Sequence, residues 1–180
     1  MSWILKITKI LASLLALVIV VGLILPAKVH VEREIAIGSR PQKIYPLIAN
    51  FQQWNKWSPW AKIDPHAEFK VVGRGIKQKM FWSSEDPRVG EGSQEFLVLD
   101  KPNQIKTHLD FGKQGTAKAN FALIADGKLT RVIWSLDTDM RADIPLYMKP
   151  FAAYLGLFMD SMVGKDYELG LRNLQQLLQK

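Results

Sequence analysis

The pattern of hydrophobic and polar positions divides the chain near residue 28. Residues 10–27 form an unbroken run of 18 uncharged residues, nearly all of them aliphatic. From position 29 onward hydrophobic and polar residues alternate, and Val29, Val31, Ile35 and Ile37 would share one face of a strand. We therefore divide the chain into an apolar N-terminal segment, residues 1–28, and a domain of ordinary polarity, residues 29–180.

The N-terminal segment is predicted to be a single transmembrane helix. As a helix, residues 10–27 would be about 27 Å long, close to the roughly 30 Å of a hydrocarbon core, and residues 3–8 can extend it. A cleaved signal peptide is the main alternative, with Lys6 and Lys9 as its basic region. The apolar run is long for that, and Leu25 stands where a cleavage site needs a small residue. A buried helix is the third alternative.

The charges around the segment predict its orientation. Lys6, Lys9 and the terminal amine favour a cytoplasmic N-terminus. Basic residues after position 27 oppose this, although long domains cross membranes largely regardless of charge. We therefore expect a single-pass membrane protein, in a bacterial inner membrane with the domain in the periplasm.

The domain is predicted to contain about seven strands followed by a helix. After the strand at 29–37, the pattern indicates two short helical segments, at 44–48 and 51–60. Turn residues then separate six further strand-like runs, at 68–72, 78–83, 94–99, 105–111, 116–125 and 130–140. Asp126-Gly127 is typical of a hairpin turn. Residues 144–179 return to helical spacing. The order predicts an α+β fold, in which a curved antiparallel sheet wraps around a long C-terminal helix and leaves a pocket between them.

Two motifs of the domain resemble a known family. One is Phe51-Gln-Gln-Trp54-Asn-Lys-Trp57-Ser-Pro-Trp60, and the other is the glycine-containing start of the last helix, residues 155–174. Together they resemble the polyketide cyclase/dehydrase-type branch of the START-like (SRPBCC) superfamily. The resemblance covers about residues 29–178 and implies a helix-grip (START/Bet v 1-like) fold that encloses a hydrophobic cavity. It also implies a small apolar ligand, such as a lipid, and an N-terminal membrane helix is a familiar variant. No catalytic residue is carried over.

Strand alternation and helix spacing nominate residues for the pocket wall. The expected inward-facing residues of the strands and the last helix are Met80, Trp82, Phe96, Leu109, Phe111, Phe121, Trp134, Phe151, Phe158 and Met162. The alternative is that any one of them is core without ligand contact. Trp54, Trp57 and Trp60 are candidates for an aromatic pocket mouth. A packing cluster that fixes the connection from helix to strand is the favoured alternative for these three.

Composition and charge narrow the chemistry of the chain. It has no cysteine, which excludes disulfides, thiolate metal sites and cysteine nucleophiles. Three of its seven net positive charges, from Lys6, Lys9 and Lys28, flank the apolar segment, and charges of the domain alternate in sign. Nucleic acid is therefore not an expected partner. The three histidines lack metal-ligand spacing, so neither a metal nor a cofactor is expected.

Three functional hypotheses remain open from the sequence. The first is a non-enzymatic, membrane-tethered module that binds a small hydrophobic or amphipathic ligand. The second is a cyclase- or hydratase-type enzyme acting in the same cavity, which would need an ionisable group with a perturbed pKa there. The third is an interaction or stress-linked module whose cavity is filled by side chains.

Overall fold

A computed structural model describes residues 2–142 and 144–179. The helices are α1 (Ser2–Ile24), α2 (Pro41–Ile48), α3 (Trp60–Ile63), α4 (Lys149–Gly156) and α5 (Met159–Gln179). The strands are β1 (Lys28–Ile37), β2 (Glu68–Val72), β3 (Lys79–Ser83), β4 (Glu91–Asp100), β5 (Gln104–Asp110), β6 (Thr116–Asp126) and β7 (Leu129–Asp139). Short 3₁₀ helices cover Phe51–Lys56, Gly75–Lys77, Gly112–Gln114 and Leu146–Met148.

The strands form one antiparallel sheet in the order β1-β7-β6-β5-β4-β3-β2. The first strand closes the sheet against the last, with Val31 opposite Leu136. Asp126 and Leu129 pair across the β6–β7 hairpin, whose turn residue Gly127 has a φ of +58°. α5 packs against this sheet, most extensively on β1. The predicted helix-grip arrangement of seven antiparallel strands and a long C-terminal helix is confirmed.

The C-terminal region differs from the prediction of one continuous helix over 144–179. α4 ends at Gly156, and α5 begins at Met159. Leu157 and Phe158 donate their backbone N–H groups to the carbonyls of Tyr154 and Leu155, which tightens the last turn of α4 to 3₁₀ geometry. The chain changes direction there because α4 packs against α1, whereas α5 packs against the sheet.

An aromatic stack joins the sheet to α5. The ring of Trp134 lies between those of Phe121 and Tyr167, with centroid distances of 4.7 and 3.7 Å. All three residues are buried. On the same helix, the Asn173 amide donates a hydrogen bond of 3.0 Å to the carbonyl of Trp57. These contacts fix α5 over one part of the concave face of the sheet.

Gly170 provides the space for this stack, which leads to a prediction about stability. A β-carbon at this position would lie 2.8 Å from Cζ3 of Trp134 and 3.2 Å from Pro59. The stacked ring cannot move away, so Gly170→Ala should lower the free energy of unfolding by about 1–3 kcal/mol. Alanine's higher helix propensity offsets part of this loss, by about 1 kcal/mol. Denaturant titration in detergent would measure the difference.

Gly164→Ala is the matched control, because Gly164 is also buried in α5. Its β-carbon would meet only the end of the Arg33 side chain, which can move at the cost of weakening its partly exposed ion pairs with Asp160 and Glu168. We expect a smaller loss than for Gly170→Ala. Equal losses for the two variants would contradict the account of the stack.

α1 is long and apolar enough to cross a membrane over Trp3–Ile24. Its side chains are almost all exposed, and Gly22 is the buried exception. α1 contacts the rest of the chain mainly through α4.

Candidate ligand-binding cavity

A cavity of about 240 Å³ lies between the sheet and α5. The apolar side chains that line it come from the 3₁₀ helix after α2, from α3, from four strands, from two loops and from α5. They are Trp54, Trp60, Phe69, Met80, Trp82, Val89, Leu109, Phe111, Leu136, Met162 and Val163. Side chains therefore do not fill the interior of this fold.

Strand register explains how the sequence builds the wall of the cavity. Met80 of β3 lies opposite Gln94 of β4, and Gln94 lies opposite Leu109 of β5. These three residues form a row across the sheet on the concave face. Because side chains alternate between faces, Trp82 lies two residues along the same face. Its partner is Gly92, where a β-carbon would collide with the Trp82 ring. Glycine at this position thus lets the indole lie flat over β4.

Half of the expected wall residues line the cavity. Met80, Trp82, Leu109, Phe111 and Met162 are among its lining residues. The core instead holds Phe96, Phe121 and Trp134, where Phe96 stacks on Phe51 at a centroid distance of 4.0 Å.

Phe151 and Phe158 lie outside the cavity, contrary to their expected inward orientation. Phe151 is 46% exposed on α4, and Phe158 is 59% exposed in the break between α4 and α5. The expectation assumed one continuous helix over the sheet, whereas the two residues belong to the segment that turns toward α1.

The three tryptophans of the first motif have different environments. Trp57 is fully buried and does not line the cavity, and its indole N–H donates to the carbonyl of Leu47 at 3.0 Å. Trp54 is also buried, donates to the Ile48 carbonyl at 2.8 Å, and presents part of its surface to the cavity. Trp60 is half-buried at the cavity edge. Packing therefore accounts for Trp57, while Trp54 and Trp60 combine packing with access to the cavity.

The sequence interpretation did not identify Asp166, which lines the cavity together with Tyr167. Burial raises the pKa of the Asp166 carboxyl, and the neighbouring Trp60 side chain acts in the opposite direction. Helical spacing could have found this residue, because Asp166 lies four positions after Met162 on the same face of α5. Among the described side chains that line the cavity, Asp166 and Tyr167 are the two ionisable groups whose pKa burial raises.

The raised pKa of Asp166 predicts a pH-dependent stability. The folded state binds the Asp166 proton more tightly than the unfolded state. The contribution of this carboxyl to the free energy of unfolding therefore falls as the pH rises from 3.8 through its folded pKa. Asp166→Asn replaces the carboxyl with a neutral amide, so no charged group is buried at this position at any pH in this range. We expect the variant to gain stability relative to the unmodified chain as the pH rises through that window. Denaturation midpoints of both proteins at several pH values would measure this, and a pH-independent difference would contradict it.

A polar loop closes one side of the cavity. Residues 87–91 line it, and the Trp82 indole N–H donates to the Val89 carbonyl at 3.2 Å. The Arg88 guanidinium binds the Asp86 carboxylate and lowers its pKa to about 2. The Ser84 hydroxyl donates to Asp64 at the start of the same loop. These contacts give the loop a defined shape over the mouth.

An ion-pair cluster on β1 holds the first part of α5. The Arg33 guanidinium donates to Asp160 at 2.8 and 3.0 Å and to Glu168 at 2.8 Å. Gly164 lies between these acidic residues, and its missing side chain leaves room for the guanidinium. The cluster fixes the stretch of α5 that carries Met162 and Val163 into the cavity.

The three histidines do not line the cavity. His30 forms a 2.7 Å hydrogen bond with Asp137 on the outer part of the sheet, and this contact raises the pKa of the imidazole. His108 and Asp110 do not line the cavity either. Within residues 2–142 and 144–179, no three His, Asp or Glu side chains are grouped to hold a metal ion.

The antiparallel sheet, the gripping helix and the apolar cavity between them define a helix-grip protein. The chain belongs to the family described as polyketide cyclase/dehydrase and lipid transport, whose model matches residues 28–179. A search of curated proteins finds no match.

Solved structures share the fold at low sequence identity. StfQ, a di-domain aromatase/cyclase of the steffimycin biosynthetic pathway, is 10% identical with a TM-score of 0.64, covering 83% of this chain and 50% of StfQ. A protein from Thermobifida fusca is 12% identical with a TM-score of 0.60, covering 81% and 90% of the two chains. Ms6760 from Mycobacterium smegmatis is 15% identical with a TM-score of 0.56, covering 84% and 91%. At these identities the likeness shows the fold alone.

Proposed function

We propose that this chain is a membrane-tethered module that binds a small hydrophobic or amphipathic, lipid-like ligand. The observation that carries the proposal is the unfilled cavity of about 240 Å³ with mainly apolar walls between the sheet and α5. Burial of apolar ligand surface, at about 25 cal/mol per Å², supplies most of the affinity. Ser58, Gln94 and Asp166 at the wall orient the polar end of the ligand.

The volume of the cavity limits the size of the ligand. Sites for drug-sized ligands usually measure about 300–1,000 Å³. A cavity slightly below that range suits a single acyl or isoprenoid chain better than a whole two-chain phospholipid. The family description, which includes lipid transport, supports this class of ligand.

Membrane tethering rests on α1. We propose that α1 spans the bacterial inner membrane as an uncleaved anchor, with the end that carries Lys6 and Lys9 toward the cytoplasm and the domain in the periplasm. A tether keeps the domain at high local concentration beside ligands that partition into the bilayer.

Tryptophan fluorescence offers a direct test of the cavity. Trp54, Trp60 and Trp82 line it, so a brominated fatty acid bound inside should quench their emission by contact. The experiment uses full-length Trp3→Phe protein in detergent, because Trp3 in α1 would otherwise report quencher in the micelle. We expect saturable quenching by the brominated acid, reversed by the unbrominated acid. Quenching that is linear and not competed would contradict the proposal.

Asp166 supports a second candidate function, acid–base catalysis on a bound hydrophobic substrate. A carboxyl whose pKa burial raises can hold a proton closer to neutral pH than an exposed one. StfQ, a cyclase by its description, shares the fold. The two candidates differ in one outcome: a binding module returns its ligand unchanged, whereas an enzyme converts it and Asp166→Asn abolishes the conversion. Mass spectrometry of recovered ligands would distinguish them.

A further inference from the structure

A second apolar surface lies next to α1. Residues 144–159 contain one charged side chain, Lys149, among aliphatic, aromatic, proline and glycine residues. Most of the large apolar side chains of this segment are exposed, and Met162 extends the surface onto α5. They are Leu146, Tyr147, Met148, Phe151, Leu155, Leu157, Phe158 and Met162. We call this set the apolar strip. Such a concentration of exposed apolar groups marks an interaction surface.

Specific contacts fasten the strip's helix, α4, to α1. The Tyr154 hydroxyl donates to the Val18 carbonyl at 2.7 Å. Gly22 packs against Pro150 and Tyr154, and any side chain at position 22 would collide with them. α4 therefore lies beside the last turns of α1 and does not merely follow it in the chain.

An arginine caps the end of α1 and ties it to the domain. Nη2 of Arg141 donates to the carbonyls of Gly22, Leu23 and Leu25 at 2.6, 3.1 and 2.8 Å. These carbonyls belong to the end of a helix, where a positive charge is favourable. Because Arg141 lies two residues after the end of β7, the cap sets the position of α1 relative to the sheet.

The depth of α4 follows from these contacts if α1 spans a bilayer. Val18 lies six residues before Ile24, which is about 9 Å along the helix axis. The apolar run of α1 is barely long enough for a hydrocarbon core, so its last turns cannot lie far outside the membrane. A helix packed beside Val18 and Gly22 must then lie at a similar depth. Amphipathic elements at membrane surfaces are buried to about 5–10 Å. The distance of about 9 Å between Val18 and the end of α1 lies within this range.

We propose that the apolar strip is embedded in the outer part of the same bilayer leaflet and forms a second membrane contact beside the anchor. The occupant of this surface is therefore lipid. Lys149 can extend its ammonium group to the headgroups, and tyrosines suit the same region. Since Met162 belongs both to the strip and to the cavity wall, the cavity rim would face the leaflet. The inference rests on the proposed insertion of α1 but does not require a ligand in the cavity.

Single-cysteine labelling tests the proposal cleanly, because the chain contains no cysteine of its own. A polarity-sensitive fluorophore would be attached at Leu155→Cys of the full-length chain in dioleoylphosphatidylcholine nanodiscs. Phosphatidylcholine carrying a spin label on the acyl chain would serve as quencher. Leu14→Cys in α1 is the positive control.

Leu129→Cys is the matched negative control. Leu129, like the test residue Leu155, is an exposed leucine (45% and 63% exposed), but it lies at the β6–β7 turn. β7 begins at Leu129, ten residues before its end at Asp139, so the control is roughly 30 Å along the strand from the end near α1. We expect quenching at position 155 to be within about twofold of that at position 14, as for a helix in the acyl boundary. Position 129 should remain unquenched.

Each outcome separates the strip from the anchor. Quenching at position 14 without quenching at 155 would overturn the second membrane contact and leave the tether intact. Quenching at neither position would overturn both. A photoactivatable lipid with a diazirine on its acyl chain provides a second test on the unmodified chain. Crosslinks within residues 144–159 would support the proposal, and crosslinks confined to α1 would overturn it.

Discussion

Trp57→Ala should be among the most destabilising single substitutions in the domain. Its side chain is fully buried, its indole packs edge-on against Phe121 and Trp134, and its N–H satisfies the Leu47 carbonyl. Removing a buried aromatic side chain typically costs about 3–5 kcal/mol. That is a large part of the roughly 5–15 kcal/mol by which a domain is stable. Denaturant titration of the full-length chain in detergent, followed by near-ultraviolet circular dichroism, would measure the loss.

Two further variants show whether packing is the cause. Trp57→Phe keeps much of the ring contact, so its free energy of unfolding should fall less than that of Trp57→Ala. Part of the fall in Trp57→Phe, about 1–3 kcal/mol, comes from the Leu47 carbonyl that loses its hydrogen-bond donor. Trp60→Ala should also lose less, because Trp60 is only partly buried. If Trp60→Ala were as destabilising as Trp57→Ala, the division between packing and cavity tryptophans would be wrong.

Val163→Trp should reduce ligand affinity by at least about tenfold, equivalent to ~1.4 kcal/mol. Val163 lines the cavity from α5, and an indole in its place would occupy part of the small volume available to the ligand. Calorimetric titration with a long-chain fatty acid would measure the affinity of the detergent-solubilised protein.

Leu169→Trp is the control for this variant. It lies on the same helix, is 39% exposed and does not line the cavity. Its affinity for the fatty acid should match that of the unmodified chain. Equal affinities of all three proteins would place the ligand outside the cavity.

The sequence predicts the sheet well because strand alternation reports which face is buried. The sheet's seven strands lie close to their predicted positions, and Asp126-Gly127 forms the expected hairpin turn. The sequence names Trp54, Trp57 and Trp60 together as candidates for a pocket mouth, with a packing cluster as the favoured alternative, and it does not distinguish among the three. The indoles of Trp54 and Trp57 both donate to carbonyls of α2, so the distinction depends on which ring surfaces the neighbouring elements cover, and this is a tertiary property.

Periodicity fails where two helices share one apolar pattern. Phe151 and Phe158 have the spacing of core residues, but Phe151 lies on α4, which packs on α1, and Phe158 lies in the break that follows α4. A segment that is apolar because it contacts a membrane and a segment that is apolar because it lines a core look alike in sequence. Asp166 is missed for the converse reason, since a single carboxylate among apolar helix positions looks like an exposed residue until burial is known.

Native mass spectrometry of the full-length chain, extracted from its own membranes in mild detergent, would show whether the cavity holds a ligand. If it does, the spectrum should contain a reproducible adduct of one small apolar molecule per chain, greatly reduced in Val163→Trp and retained in Leu169→Trp. The chain's mass without any adduct, even after incubation with a membrane lipid extract, would contradict the proposal that this cavity binds a lipid-like ligand.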